Sequence, residues 1–517
     1  MATSVRLEAD EAQPESNTRP TARHETAWTA VVAAVGFVVG LTPLNDNSFF
    51  THLTTGRGIV DTWSVPRVDP YTWTSEGEPW VVQSWLASTV YGMIDAVGGA
   101  GALRLFTAVV TALLAALVWR LSRPAGSLVV RLALSGGAVL MGIVVWSERP
   151  LLLGLLFFAV LVTMATDEHV DVRWAAPLLF VWANVHGSFP LGLVLVGTVL
   201  VGTWLDERRI DPRLARLLGW STLGAVLGGV LNPYGPKLLL FPIDLLAKRE
   251  QLQHVVEWQR PDLGDRYAQI FVVVAVVAVL AALKSRRWAV IVPVAVFLVA
   301  AVLGARNVAV ASIAFAGVAA PALAGVGSIT TEGRGPRARL VILATVTISL
   351  LFGLVLMQRD NFELGAYPVE AVEWLDEQDA FAGDVRWAHT DTTGNYLTIR
   401  FDGQVPIFLD DRMELHPAEL IDDYLVLNAG EQGWGGVLDR HQVDAVLWPT
   451  DRDLAGELAD SDEWTVVSWD ERLSETSDSA TAVAADGSEL AGDGTYLVAC
   501  RPGTDLCDTL LAASPLS

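Results

Sequence analysis

The sequence predicts an α-helical polytopic membrane protein with about eleven transmembrane helices and a C-terminal soluble α/β domain. Three observations lead there. Apolar residues make up 52% of the 517 positions and mean hydropathy is +0.40, beyond the apolar share of ordinary soluble domains. Runs rich in Leu, Val and Ala recur between Ala27 and Met357, in segments suited to crossing roughly 30 Å of hydrocarbon. Past Met357 the hydropathy falls, and nearly all of the net charge of −23 gathers beyond about Asp360, where Lys is absent and acids outnumber Arg roughly fivefold.

Residues 1–26 mix both charge signs and read as a disordered cytoplasmic tail. No small-residue cleavage site follows the first apolar run, so the first span is uncleaved. The transmembrane domain, 27–359, carries apolar runs at Ala27–Leu41, Ala102–Leu121, Leu128–Trp146, Leu151–Ala165, Trp174–Asn184, Leu191–Leu205, Leu214–Leu231, Ala268–Leu283, Ala289–Leu303, Val308–Ala324 and Leu340–Met357. Arg120 and Arg123, the four Arg of "DERRIDPRLAR", Lys284 with Arg286 and Arg287, and Arg334, Arg337 and Arg339 then share one side. Positive charge marks the cytoplasmic side. Reading "WANVHGSFP" as the break between two spans keeps the Arg of "DERRIDPRLAR" inside; one continuous span would export them. The N-terminus is therefore cytoplasmic and the plasma membrane is crossed many times. The first extracytoplasmic loop is 44–97 and the second large one 232–267. Within the first, Pro79 to Ile94 places Val82, Trp85, Leu86, Val90 and Met93 on one helical face, as in a helix lying in the membrane plane.

An odd number of spans puts residues 360–517 outside. "YPVEAVEWLDEQ" and "AELIDDYLVLNA" read as helices, and "VPIFLD", "VDAVLWP", "WTVVSW" and "TYLVAC" as strands. Cys500 and Cys507, the only two cysteines, suit a small-loop disulfide if that end meets an oxidising compartment. They do not resemble a metal knuckle. An acidic chain with more Arg than Lys excludes a nucleic-acid partner, whose phosphates need dense basic patches; the partner that composition does demand is the bilayer.

Under this topology the unusual polar residues fall on the outer side: Asp46, His52, Asp61, Asp69, Glu76 and Gln83, then Glu148 with Arg149, Asn184 with His186, Asn232 with Tyr234, Glu257 with Trp258, and Arg306 with Asn307. Ionisable groups at span ends are costly unless they face a cavity or a partner, so their collection on one face points to a site there. The plainer alternative is a residue merely resting at the water boundary. Likewise Trp63, Trp73, Trp80 and Trp85 suit an interfacial belt as well as a sugar platform.

The order of "PLNDNSFFTHLTTGRGI", "VPRVDPYTWT", "EPWVVQSWLAS", "ERP", "WANVHGSFPLG", "LNPYG", "VEWQRPD" and "RN" resembles the polytopic GT-C-type glycosyltransferases of bacterial membranes. "YPVEAVEWL", "GNYL" and "FLDDRMEL" resemble a mostly uncharacterised subgroup with a C-terminal extracytoplasmic domain. The resemblance implies a GT-C-like fold and transfer of a sugar, hexose or pentose, from a polyprenyl-phosphate donor to a glycan, lipid or protein acceptor of the cell envelope. It places the key carboxylate at Asp46. Relatives often carry a second Asp where this chain has Ser48, which weakens a divalent metal site, since such ions need several hard oxygen ligands; no metal ligands are assigned. Asp46 is then the general base of an inverting transfer, Arg149 or Arg306 meets the phosphate, and Glu257 is the reserve base. His52 and His186 either bind phosphate and orient Asp46 or simply bond to loop carbonyls, and the helix around Trp85 admits the lipid tail. Asp410, Asp411 and Arg412 read either as an acceptor site or as a solvated loop. Two other classes stay open: a transporter, although no internal repeat is present, and a non-catalytic scaffold for envelope assembly.

Overall fold

The computed structural model describes residues 19–143, 145–248, 258–326, 336–468 and 496–514. Each of the eleven apolar runs contains a helix. In chain order the helices are α1 (Arg19–Val39), α2 (Asn47–Thr62), α3 (Trp85–Leu121), α4 (Leu128–Gly142), α5 (Pro150–Thr166), α6 (Ala175–Val185), α7 (Phe189–Glu207), α8 (Pro212–Val230), α9 (Pro236–Ala247), α10 (Arg266–Ser285), α11 (Trp288–Leu303), α12 (Asn307–Val318) and α13 (Pro336–Leu356). Among the described residues, three stretches, Trp85–Ala125, Phe189–Glu207 and Arg266–Ser285, are long and apolar enough to cross a membrane, and shorter apolar helical stretches of 10–17 residues include Glu25–Val39, Pro150–Thr166 and Ile342–Leu356. Val273 and Leu280 of α10 and Leu343, Ile348 and Phe352 of α13 are exposed. Apolar surface on that scale belongs against lipid, and the chain is a membrane protein.

The break at "HGSFP" separates α6 from α7, with Pro190 in the first turn of α7, where its missing N–H costs nothing. Helix α1 begins at Arg19, inside the stretch read as a tail. The expected in-plane helix from Pro79 starts instead at Trp85. Pro79 forms a bridge with Val68, with Trp80 N donating to Arg67 O at 2.9 Å. From Trp85 the helix runs into the long α3 through a break at Gly99, whose φ of 60° suits glycine. Helices α2 and α3 cross closely: a Cβ on Gly56 would lie 1.9 Å from the Ser88 carbonyl oxygen.

Beyond α13 the chain forms α14 (Val369–Glu377), β1 (Trp387–His389), α15 (Asp391–Arg400), α16 (Ala418–Asn428), α17 (Trp434–Arg440), β2 (Ala445–Pro449), α18 (Asp453–Ala459), β3 (Thr465–Ser468), β4 (Tyr496–Cys500) and α19 (Asp505–Ala512). The sheet order is β1-β2-β4-β3, with β1 and β2 parallel and the other pairs antiparallel. Three expected strands are present. The fourth, "VPIFLD", is not a sheet strand: Ile407 bridges Thr72 of the first outer loop, because that loop supplies the partner backbone. Its place is taken by the short β1. Cys500 of β4 and Cys507 of α19 are disulfide-bonded.

This domain does not stand apart from α2, the start of α3 and the segment that joins them. Phe49, Phe50, Leu53, Tyr71, Trp80 and Tyr91 share one core with Tyr367, Val372, Leu375, Tyr396, Leu397 and Ile407. Arg104, 3% exposed, ties the junction by donating to the carbonyls of Leu41 at 2.8 Å and Leu356 at 2.7 Å, and to Asn361 Oδ1 at 3.2 Å. Carbonyls left bare at the ends of the first and last helices need such partners once buried.

Candidate active site

A cavity of about 240 Å³ opens where helix ends of the membrane body meet the C-terminal domain. Its lining includes Ser48, Thr51 and His52 from α2, Trp80 to Ser84, Arg149 at the start of α5, His186 and Gly187 in the α6–α7 break, Trp258, Arg306 and the loop residues Asp411, Arg412 and Glu414. Phe241, Pro242 and Leu245 of α9 supply an apolar wall.

Asp46 is the N-cap residue of α2 and adjoins this lining without joining it. Its Oδ2 accepts from Arg149 Nε at 2.5 Å and from Ser147 Oγ at 2.8 Å, while Oδ1 is buried with no hydrogen-bond partner. Glu148 braces the turn, accepting from the backbone N–H groups of Asn45 at 2.6 Å and Asp46 at 2.8 Å. Burial, and then the charge of Asp46, push Glu148 up to about 7. One carboxylate already occupied by a guanidinium is a poor divalent-ion site, and among the described residues no group of three or more His, Cys, Asp or Glu converges to hold one.

Neither site histidine bonds to a loop carbonyl through Nδ1. His52 Nδ1 lies 3.1 Å from Ser88 Oγ and His186 Nδ1 2.8 Å from Ser188 Oγ. Burial lowers His52 to about 4; burial, followed by the charge of Arg306, lowers His186 to about 3. Both are neutral at physiological pH. Arg306 stacks over Trp258, 4.3 Å from the ring centre, which holds its planar group at the cavity wall.

Asp410 of the C-terminal loop is buried and Asp411 half-buried, contrary to the solvated reading. Arg412 binds Asp410 Oδ2 at 2.6 Å and Asp69 Oδ1 at 2.8 Å, and its guanidinium sits 4.3 Å from the Trp80 ring centre. Burial alone would raise Asp410; Arg412 outweighs it and holds the carboxyl well below the usual range. Asp411 accepts a hydrogen bond from Ser48 Oγ. Burial and the neighbouring charge of Asp410 push Asp411 up to about 7.

His52, Arg149, His186 and Arg306 thus share one cavity. Trp85 does not line it: its indole donates to Asn184 Oδ1 at 2.9 Å. Glu257 lies outside the described residues. Asp411 and Arg412, read from sequence as an acceptor site or a solvated loop, line the cavity, and Glu414, not singled out there, lines it with them; its only sequence signal was the motif "FLDDRMEL".

The opposite shifts give stability a readable pH dependence. An Asp411 that titrates near 7 when folded, against 3.8 ordinarily, holds more protons folded than unfolded between those values, so its contribution worsens as pH rises from about 4 to 7. His52 and His186, lowered from 6.5, act the other way, weakening the fold as pH falls below 6.5. Asp411→Asn is therefore expected to melt higher than wild type at pH 8 and to lose that advantage at pH 4.5, in thermal denaturation of the protein in nanodiscs.

No family model and no curated protein matches this sequence. The fold is similar to that of the Archaeoglobus fulgidus oligosaccharyltransferase. The crystal structure of its apo form superposes with a TM-score of 0.53 at 11% identity, covering 83% of this chain and 70% of that one. A structure of that enzyme in complex with Zn and sulfate gives a TM-score of 0.49 at 11% identity, covering 82% and 68%. The chain accordingly has an oligosaccharyltransferase-like, GT-C-like fold, and that likeness speaks to the fold alone.

Proposed function

We propose that the protein transfers a sugar from a polyprenyl-phosphate donor to a glycan, lipid or protein acceptor on the extracytoplasmic face of the plasma membrane. The carrying observation is the cavity, where Arg149 and Arg306 come together beside the apolar wall of α9 at the junction with the C-terminal domain. Guanidinium groups suit phosphate oxygens, and the α9 wall suits the first isoprene units of a lipid tail. This reading keeps about eleven crossings, a cytoplasmic N-terminus and the domain limits given above.

The leaving group is a phosphate, so no strong general acid is required. An acceptor oxygen attacks the anomeric carbon from the face opposite the phosphate, the carbon–phosphate oxygen bond breaks with its electron pair leaving on the phosphate, and configuration inverts. Asp46 takes the acceptor's proton. In the unliganded site its Oδ2 is held by Arg149; donor phosphate drawing Arg149 away frees that carboxylate as the base. Neutral His52 and His186 donate hydrogen bonds to phosphate, and Trp85 acts from behind by fixing Asn184. Glu257 remains the reserve base.

A deletion strain tests this directly. Mass spectrometry of its envelope glycans and lipid-linked sugars is expected to show one sugar missing from a product and its polyprenyl-phosphate donor accumulated. A transporter would instead move radiolabelled substrate into vesicles with no covalent product.

A further inference from the structure

The walls of the cavity differ in charge. Arg149 and Arg306 line it from helix ends, whereas Asp411 and Glu414 line it from the C-terminal domain. Arg412 does not offset these acids, because its guanidinium is shared between Asp410 and Asp69. Lys248 donates to the Glu414 backbone carbonyl at 2.5 Å. Ser48 fixes one oxygen of Asp411 from the α2 side, so the carboxylate is held in place at the cavity. Trp80, Gln83 and Trp258 also line it, with Arg412 stacked on the Trp80 ring and Arg306 on the Trp258 ring.

We propose that Asp411 and Glu414 form the acceptor subsite and that it takes the hydroxylated end of an uncharged glycan, Asp411 accepting a hydrogen bond from an acceptor hydroxyl. The inference rests on the glycosyl-transfer reading and gives it a substrate class. Sugar hydroxyls are donors that carboxylates satisfy, and sugar C–H faces pack on Trp rings. An acceptor bearing phosphate or uronate would set like charge against Asp411 and Glu414 wherever they are ionised, which for Asp411 is above a pH of about 7, and that disfavours it. Opposite wall charges also separate the partners, anionic donor on the Arg side and neutral acceptor on the acid side. Asp411 positions the acceptor, while the reacting proton goes to Asp46 and the bonding electrons leave with the phosphate.

The test uses the full-length protein. Chromosomal Asp411→Asn is expected to lower the glycan product about tenfold or more, the cost of a charge-assisted hydrogen bond, with lipid-linked sugar accumulating as in the deletion strain. Purified Asp411→Asn in nanodiscs is expected to bind farnesyl phosphate, read by Trp fluorescence, within about threefold of wild type. Should Asp411→Asn fail to accumulate, Ser48→Ala, which frees the carboxylate without removing it, is expected to lower product about threefold. The residue to which the missing sugar was attached is expected to be uncharged. A wild-type glycan profile in the decisive variant, a tenfold loss of farnesyl phosphate binding, or an attachment residue bearing phosphate or carboxylate each overturns the proposal. Unchanged glycans and lipid-linked sugars in the deletion strain would remove the glycosyl-transfer reading itself.

Discussion

Asp46→Asn is expected to lower sugar transfer by about 10²–10⁴-fold, the usual contribution of a positioned general base, with donor affinity unchanged or improved. The substitution keeps the shape of the side chain and an oxygen for the Ser147 hydroxyl at its 2.8 Å contact, but it removes the carboxylate proposed to take the acceptor's proton. It also removes the charge that holds Arg149 Nε at 2.5 Å. Steady-state kinetics separate this from a positioning role. Loss confined to kcat, with the donor KM flat or lower, marks an interaction made in the transition state. If Asp46 served only to aim Arg149, the donor KM would rise and kcat would hold. Arg149→Ala gives the mirror result, raising donor KM and stranding the Asp46 carboxylate, which is 8% exposed.

Much of the helical body was legible because hydrocarbon imposes a length and an apolar composition that few other contexts demand. Every apolar run contains a helix, and the two halves of "WANVHGSFPLG" separate where the chain leaves one helix for the next. Elements whose partners lie far away in sequence were harder to read. Pro79 to Ser84 carry a helical pattern, yet Trp80 N bonds to Arg67 O and the helix waits for Trp85. "VPIFLD" alternates like a sheet strand, yet Ile407 pairs with Thr72, 335 positions upstream. The acid pair shows the same limit. Two adjacent Asp in a loop look solvated, and only the folded chain brings Arg412 and Asp69 together across 343 positions. Both motifs, "VDPYTW" and "FLDDRMEL", stood out in the sequence, but nothing local in either one names the other. Cavity positions for Arg149, His186 and Arg306 were accessible because each lies at the end of an apolar run and the charge pattern reads those ends as one side, whereas Glu414 and the cavity position of Asp411 depended on how the C-terminal domain docks.

Arg412→Leu is expected to destabilise the junction between the first outer loop and the C-terminal domain by about 3–5 kcal/mol, the cost of leaving buried carboxylates without their cation. The side chains of Asp69 and Asp410 are 0% exposed and that of Arg412 is 7%, so water cannot replace the lost partner. Packing is lost as well, since the guanidinium lies 4.3 Å from the Trp80 ring centre and 5.1 Å from that of Tyr71. Thermal denaturation in nanodiscs, with limited proteolysis of the outer domain, measures the effect. Its pH dependence identifies the cause. In wild type the depressed Asp410 stabilises the fold above the ordinary Asp range and loses that contribution as acid protonates it. In Arg412→Leu the stranded carboxylate is the penalty, so protonation relieves it and the gap between variant and wild type narrows as pH falls toward 4. Combining Arg412→Leu with Asp69→Asn and Asp410→Asn is expected to recover most of the loss at neutral pH, because three mutually satisfied charges are replaced together. A gap that stays constant with pH, or a triple variant no better than the single one, would assign the loss to packing on Trp80 and Tyr71 instead of to charge.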